Sequence, residues 1–367
     1  MITVPAPPPP DQLRADVRAR AENRPGVYRM LGPCGEVLYV GKSVRVRTRL
    51  LSYFRSPRGD KAAEIVSHTH HVDWEYVPSE FAALLLEMRL ILAHRPVYNV
   101  QHKRNRAFCF LKLTREAASR VRVAFEVRDD GSWYAGPFRG VGRMREVARE
   151  VADLLELRDC AARTPMRFAD QLDLFGREET PLCLRADLGR CLAPCAGRCT
   201  RTEYRARTEV ARRFLLGDAE APLNRLRQRL EAAAERLQFE YAATLRDRLV
   251  RLELARDELA ERRGAIDALT FVYQPEALHG DAQVYVVRRG LVSAELTAPC
   301  NAHERAQVAA RASALFHRAP RDDLRPAQAA EILLLARWFR LHPEEEERVW
   351  NSPRGGTARL GRLPLLA

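Results

Sequence analysis

The sequence predicts a mixed α/β chain: a small α/β domain, a cysteine-rich segment, an α-helical hairpin and a small α/β tail. Three observations carry that expectation. Gly26-Val27-Tyr28-Arg29-Met30 and Val37-Leu38-Tyr39-Val40-Gly41 are short β-like runs around a turn-rich stretch, so they read as a strand hairpin. Five of the eight cysteines, Cys160, Cys183, Cys191, Cys195 and Cys199, crowd one loop-rich segment. Leu226, Leu230, Ala233 and Leu237 recur at helical spacing, and Ala242, Leu245, Leu249 and Leu252 repeat the pattern.

Residues 1–20 read as a flexible leader. The run Pro7-Pro8-Pro9-Pro10 has neither the basic start nor the apolar core of a signal peptide, and the expectation is a cytoplasmic protein. The first domain spans 21–103. After the hairpin, 43–53 has a strongly basic helical pattern with Arg45, Arg47 and Arg49, and 72–77 alternates as a third strand. Ser79 is placed to cap a helix that carries Leu84-Leu85-Leu86 and ends near His94, before Pro96.

Residues 104–200 hold strand-like runs at 108–113 and 121–127, a helix over roughly 141–157, and the cysteine segment. Region 201–262 reads as a helix at 203–217 and a hairpin over 223–262, broken near Gln238-Phe239. Over 263–350, strands are expected at 269–273 and 284–287, and helices at 302–317 and 326–341. Residues 351–367 read as a disordered tail. There is no internal repeat.

The net charge of +13 favours a polyanionic partner such as nucleic acid. Because only Lys42, Lys61, Lys103 and Lys112 are lysines, the arginine excess reflects codon usage as much as phosphate binding. A lysine inside a candidate site is correspondingly informative. No apolar run approaches the roughly 20 residues of a membrane helix.

Tyr28, Tyr39, Lys42, Arg49 and Glu87 share a chemical logic. Phosphodiester hydrolysis needs an activated water, a cation on the phosphate and stabilisation of developing charge. A helix-borne glutamate suits one Mg²⁺-type ion, with phosphate and waters completing the shell. Arg49 suits a phosphate oxygen. A tyrosine acting as base needs a nearby cation, and Lys42 is the expected one. Taken singly, each residue has a plainer reading as strand packing or a solvated helix face. His68, His70 and His71 lack a fourth ligand at useful spacing and read as an exposed strand edge.

Together these residues resemble the GIY-YIG nucleases, and among them the UvrC type. The resemblance runs through Pro25-Gly26-Val27-Tyr28, Leu38-Tyr39-Val40-Gly41-Lys42, the 47–54 stretch, Glu80 to Glu87, and Arg95-Pro96-Val97-Tyr98-Asn99. It implies that Glu87 holds Mg²⁺ or Mn²⁺ and that Tyr28 or Tyr39 orients or deprotonates water, with Tyr28 preferred. It further implies that Lys42 tunes that tyrosine, Arg49 binds the scissile phosphate, and Tyr53 and Asn99 support the site. The sequence departs from the family at Met88-Arg89 and at Gln101-His102-Lys103-Arg104-Asn105, both of which make the surroundings more basic.

Without a secretion signal, crowded thiols suggest metal binding before disulfides. Thiolate softness alone leaves zinc and iron–sulfur open, although the missing C-x₂-C pair weakens zinc. The same resemblance implies a [4Fe–4S] cluster on Cys160, Cys183, Cys191 and Cys195. The long 166–180 insertion makes Cys160 the least secure ligand, with Cys199 a spare. Leu237-Gln238-Phe239-Glu240-Tyr241 and the residues after it resemble the UVR motif. That implies docking to UvrB through Leu237, Phe239, Leu245 and Arg246, with UvrA reached indirectly. The short outline resembles Cho-like members that lack an RNase H-like nuclease. The expectation is one incision, on the 3′ side of a lesion in damaged duplex DNA, during nucleotide excision repair. The alternatives are a non-catalytic UvrB/DNA adaptor and a GIY-YIG nuclease of another DNA pathway.

Overall fold

The computed structural model describes residues 7–57, 59–99, 108–171, 181–218, 220–318, 324–350 and 353. The basic stretch at 101–105, most of the 166–180 insertion and nearly all of the 351–367 tail lie outside them. The chain divides into two units, one of residues 1–105, 267–319 and 330–362, the other of 106–266, 320–329 and 363–367.

The first unit opens with helix α1 (Pro10–Arg20), where a leader was expected. Its Leu13 and Val17 are buried against the sheet, which is why the segment is ordered. Strands β1 (Gly26–Leu31) and β2 (Val37–Ser43) pair antiparallel as expected. Helices α2 (Val46–Tyr53) and α3 (Lys61–His68) precede β3 (His71–Tyr76), giving the order β2-β1-β3. Helix α3 had no counterpart in the sequence reading. His68 ends it, so of the three histidines only His71 lies in a strand.

Helix α4 (Glu80–His94) follows. The Ser79 side chain accepts a hydrogen bond from the Ala82 N–H at 3.1 Å, and Arg95 ends the helix with φ +47° just before Pro96. One face of the sheet packs on α1, α2 and α3 through Tyr28, Met30, Val46 and Leu50. The other face meets α4 through Val27, Val40, Ala83 and Ile91.

In the second unit, β4 (Cys109–Leu113), β5 (Val121–Ala124) and β6 (Trp133–Phe138) form a sheet of order β5-β4-β6. Helix α5 (Val141–Leu154) packs on it through Met144, Val147 and Val151. The cysteine segment carries one turn of helix, α6 (Leu184–Asp187). Helix α7 (Arg201–Leu215) starts with a full capping box at Thr200 and Glu203. Helices α8 (Glu220–Glu235) and α9 (Phe239–Ala268) form the expected hairpin, broken where Leu237 takes φ +59°. Leu226, Ala233, Leu245, Leu249 and Leu252 line its seam, but Leu237 is 70% exposed and does not.

The chain then returns to the first unit with β7 (Phe271–Tyr273), β8 (Gln283–Arg288), β9 (Leu291–Thr297), α10 (Ala302–Phe316), α11 (Pro326–Leu341) and β10 (Val349–Trp350). The sheet order is β10-β7-β8-β9. Val272, Val284 and Val286 face α10. Tyr273 and Tyr285 face the other way, and with Trp338 they enclose Phe81 of α4 at ring distances of 5.0, 4.9 and 5.5 Å. Helix α4 is therefore covered on two sides, which explains its nearly continuous apolar sequence.

Candidate active site

Strand alternation decides which side chains meet. Tyr28 pairs with Gly41 and Met30 with Tyr39, so these four residues share the α2 face of the sheet. Gly41 makes room there, because a Cβ at that position would lie 2.4 Å from the Tyr28 hydroxyl oxygen. Gly26 is required by strand pairing, since its Cβ would lie 2.4 Å from the Glu75 carbonyl oxygen.

Tyr53 comes in from the end of α2, and its hydroxyl lies 3.0 Å from that of Tyr28. The rings of Tyr28, Tyr39 and Tyr53 form a triangle with centroids 5.9 to 6.2 Å apart. Arg49, one turn earlier on α2, sets its guanidinium 5.4 Å from the Tyr53 ring, and the Lys61 ammonium is 6.0 Å from the Tyr39 ring.

Burial pushes the Tyr28 phenol up to about 12, with Tyr39 adding to the rise, while Tyr53 and the Arg49 guanidinium pull it back. Tyr39 and Tyr53 are raised still further, again chiefly by burial. Of the three phenols, Tyr28 is the one most directly influenced by Arg49. Glu87 also acts on Tyr39, which places its carboxylate at the same cluster.

The Glu87 carboxyl is raised chiefly by burial, and Lys42 opposes the rise. Glu87 Oε1 accepts the Lys42 backbone N–H at 3.1 Å. The Lys42 ammonium donates instead to Glu80 Oε1 at 2.8 Å. This corrects the expectation that Lys42 tunes a tyrosine. Lys42 has the parity of Val40 rather than of Tyr39 and Gly41, so its side chain leaves β2 toward α4. Arg49 is the cation that acts on Tyr28. Asn99 supports the site through the backbone: its Oδ1 accepts from Val40 N at 2.9 Å, and its Nδ2 donates to Val40 O at 2.7 Å.

A desolvated hard-oxygen carboxylate that accepts a backbone N–H suits a divalent cation completed by phosphate and water. No group of three or more His, Cys, Asp or Glu among the described residues could hold an ion by itself, so a closed protein cage is not formed there. Sequence reasoning overlooked Glu80 and Lys61. Glu80 had a usable signal, since seven residues before Glu87 is the same helix face two turns earlier.

The cysteines share one neighbourhood without closing on a centre. Burial raises Cys191 to about 11, and the Cys183 and Cys195 thiols add to the rise. Cys160 and Cys183 likewise raise Cys195. Such thiols remain neutral until a cation draws them into the thiolate form. Arg158 Nη1 lies 3.3 Å from Cys160 Sγ, and Ala193 N lies 3.4 Å from Cys191 Sγ. Cys199 packs in the second unit's hydrophobic core, where burial raises it to about 12 and Cys191 and Cys195 add to the rise.

At the hairpin turn Leu237 and Phe239 are 70% and 67% exposed, and Arg246 is exposed. Leu245 is 3% exposed inside the seam, which removes it from the expected partner contacts. None of the described helices is long and apolar enough to cross a membrane.

The hairpin of tyrosine strands, the Arg49 helix and the Glu87 helix define a domain of the GIY-YIG class. Residues 24–100 match the family model for the UvrC-like GIY-YIG domain, 108–214 the UvrC/Cho excinuclease middle domain, and 220–255 the UvrB/UvrC motif. The chain belongs to the UvrC-type GIY-YIG family.

Among its relatives, UvrABC system protein C of Moorella thermoacetica is 37% identical over 268 residues, 71% of this chain and 42% of the relative. The Haemophilus influenzae Rd protein of that name is 34% identical over 277 residues, 74% of this chain and 43% of the relative. The chain spans less than half the length of these curated relatives. The crystal structure of the GIY-YIG N-terminal endonuclease domain of UvrC from Thermotoga maritima, bound to its catalytic magnesium, is 33% identical. It covers 24% of this chain and 98% of that one, with a TM-score of 0.23.

Proposed function

We propose that this chain is a metal-dependent DNA endonuclease of nucleotide excision repair. The observation that carries the reading is the convergence of three tyrosines, the Arg49 guanidinium and the desolvated Glu87 carboxylate at one cluster. Glu87 would hold one Mg²⁺ or Mn²⁺ ion, which supplies Lewis-acid polarisation of the phosphate. Arg49 binds a non-bridging phosphate oxygen and stabilises the charge that develops on it. Tyr28 takes the proton of the attacking water. The base is the Tyr28 phenolate, which the transfer converts to the neutral phenol; the Tyr53 hydroxyl at 3.0 Å and the Arg49 guanidinium stabilise that phenolate beforehand. Asn99 holds the β2 backbone between Tyr39 and Gly41 in register.

The same reading assigns the remaining pieces. Leu237 and Phe239 at the exposed hairpin turn, with Arg246, dock on UvrB, which delivers the site to damaged duplex DNA marked with the help of UvrA. The neighbouring thiols of Cys160, Cys183, Cys191 and Cys195 hold a [4Fe–4S] cluster in preference to zinc. The GIY-YIG site makes one incision, on the 3′ side of the lesion.

The test incubates the chain with lesion-bearing duplex, UvrA, UvrB and Mg²⁺, with fragments read from both labelled ends. One cut per duplex is expected, lost by about 100-fold or more in Glu87→Gln, while DNA binding is retained. Cleavage by Glu87→Gln at the parent rate, or cuts on both sides of the lesion, contradicts the proposal.

A further inference from the structure

We propose that Glu80 is a positioning residue of this site: by taking the Lys42 ammonium it keeps the Glu87 carboxylate open to a divalent cation. The inference rests on Glu87 as the metal-holding carboxylate.

Lys42 is tied to both acids at once. Its backbone N–H donates to Glu87 Oε1 at 3.1 Å, and its ammonium to Glu80 Oε1 at 2.8 Å. The two acids lie seven residues apart on α4, about 10 Å along the axis, on one helix face. The Lys42 stem therefore runs along α4 toward the start of the helix, away from Glu87.

That direction is not imposed by the lysine. Four methylenes on a backbone already bonded to Glu87 are flexible enough to fold back onto that carboxylate. An ammonium there competes with a divalent cation for the same oxygens. Glu80 removes the competitor. At the first turn of α4 its negative charge is also favoured by the helix N-terminus. The next residue, Phe81, is fully buried among Tyr273, Tyr285 and Trp338, so the backbone beneath Glu80 is fixed. The Lys42–Glu80 pair is partly exposed, with side chains 27% and 39% accessible, so its effect is modest.

The experiment measures Mn²⁺ binding to the full chain without DNA, by electron paramagnetic resonance of free Mn²⁺. Glu80→Gln is expected to weaken binding about fivefold, the scale of one partly exposed charge contact. Adding Lys42→Met in that background restores the parent affinity, which a merely structural role for Glu80 does not predict. Lys42→Met alone binds at least as tightly as the parent, and this arm stands even if Glu80→Gln folds poorly. Parent-like affinity in a folded Glu80→Gln, a double variant as weak as the single, or weaker binding by Lys42→Met overturns the proposal. The Glu87→Gln control separates the two readings. If it abolishes binding while Glu80→Gln does not weaken it, only the role of Glu80 falls. If it binds like the parent, the metal reading falls and takes this one with it.

Discussion

Arg49 and Tyr28 show how one charge sets the chemistry of a buried phenol. Tyr28, at about 12, is almost entirely neutral near pH 7, and the Arg49 guanidinium is among the groups that lower it. Arg49→Met lets Tyr28 rise further and removes the phosphate contact. We expect kcat/KM for cleavage to drop about 100-fold or more, with no recovery at higher pH. With Arg49 present, a base this weakly acidic gives cleavage that keeps rising through the alkaline range, and a plateau near neutrality excludes Tyr28 as the base. The same shift makes a stability prediction. The folded value lies above the unfolded value of 10.0, so the linked stability is intact below pH 10 and falls as pH rises toward about 12. Tyr39 and Tyr53 shift in the same direction. Urea unfolding from about pH 9 to about pH 12 should show a loss on the order of 2 to 3 kcal/mol from Tyr28 alone. A flat profile would contradict the burial of its hydroxyl.

At the scale of elements, α4 joins the site to the rest of its unit. Its sheet-facing side carries Glu87 to the end of β2, and its far side is anchored by Phe81 in the aromatic cage of β7, β8 and α11. Phe81→Ala should cost about 3 to 5 kcal/mol in urea unfolding, the usual price of an emptied aromatic site. Loss below about 1 kcal/mol would mean that the cage does not hold α4. Gly41→Ala acts from the opposite side. Its methyl meets the Tyr28 ring, so it should abolish cleavage while leaving Mn²⁺ binding at Glu87 nearly intact. Much of this framework was legible. Period-two strands, the Ser79 cap and the Leu226 to Leu252 seam announce themselves through local pattern and chemistry. What was missed depends on tertiary contact. Helix α1 is ordered because Leu13 and Val17 find the sheet, which a proline-rich start conceals. Strand β9 alternates exposed and half-buried residues, too weakly apolar to stand out. The destination of the Lys42 side chain was legible from strand parity, but only once Tyr39 and Gly41 were placed on the face of Tyr28.

At the scale of the whole molecule, the two proposed metal centres fall in different units. Glu87 lies in the unit whose sequence is interrupted by residues 106–266, and all the candidate cluster cysteines lie within that interruption. Each unit has its own hydrophobic core, centred on Tyr28, Met30 and Leu50 in one and on Leu111, Val151 and Phe214 in the other. A ligand that binds only folded protein raises the stability of the unit that holds it. Thiols raised by burial and by one another gain most from such a ligand, because ionising them without a cation is costly. Calorimetry on anaerobically prepared chain should therefore resolve two transitions that respond separately. Removing iron, or Cys191→Ser, is expected to lower one transition and leave the other in place. Mn²⁺ is expected to raise the transition that iron removal leaves unmoved, and to do so in the parent but not in Glu87→Gln. If both transitions follow iron, the cluster is not confined to the cysteine unit. If neither does, Cys160, Cys183, Cys191 and Cys195 are ordinary unliganded thiols, and no cluster stabilises the second unit.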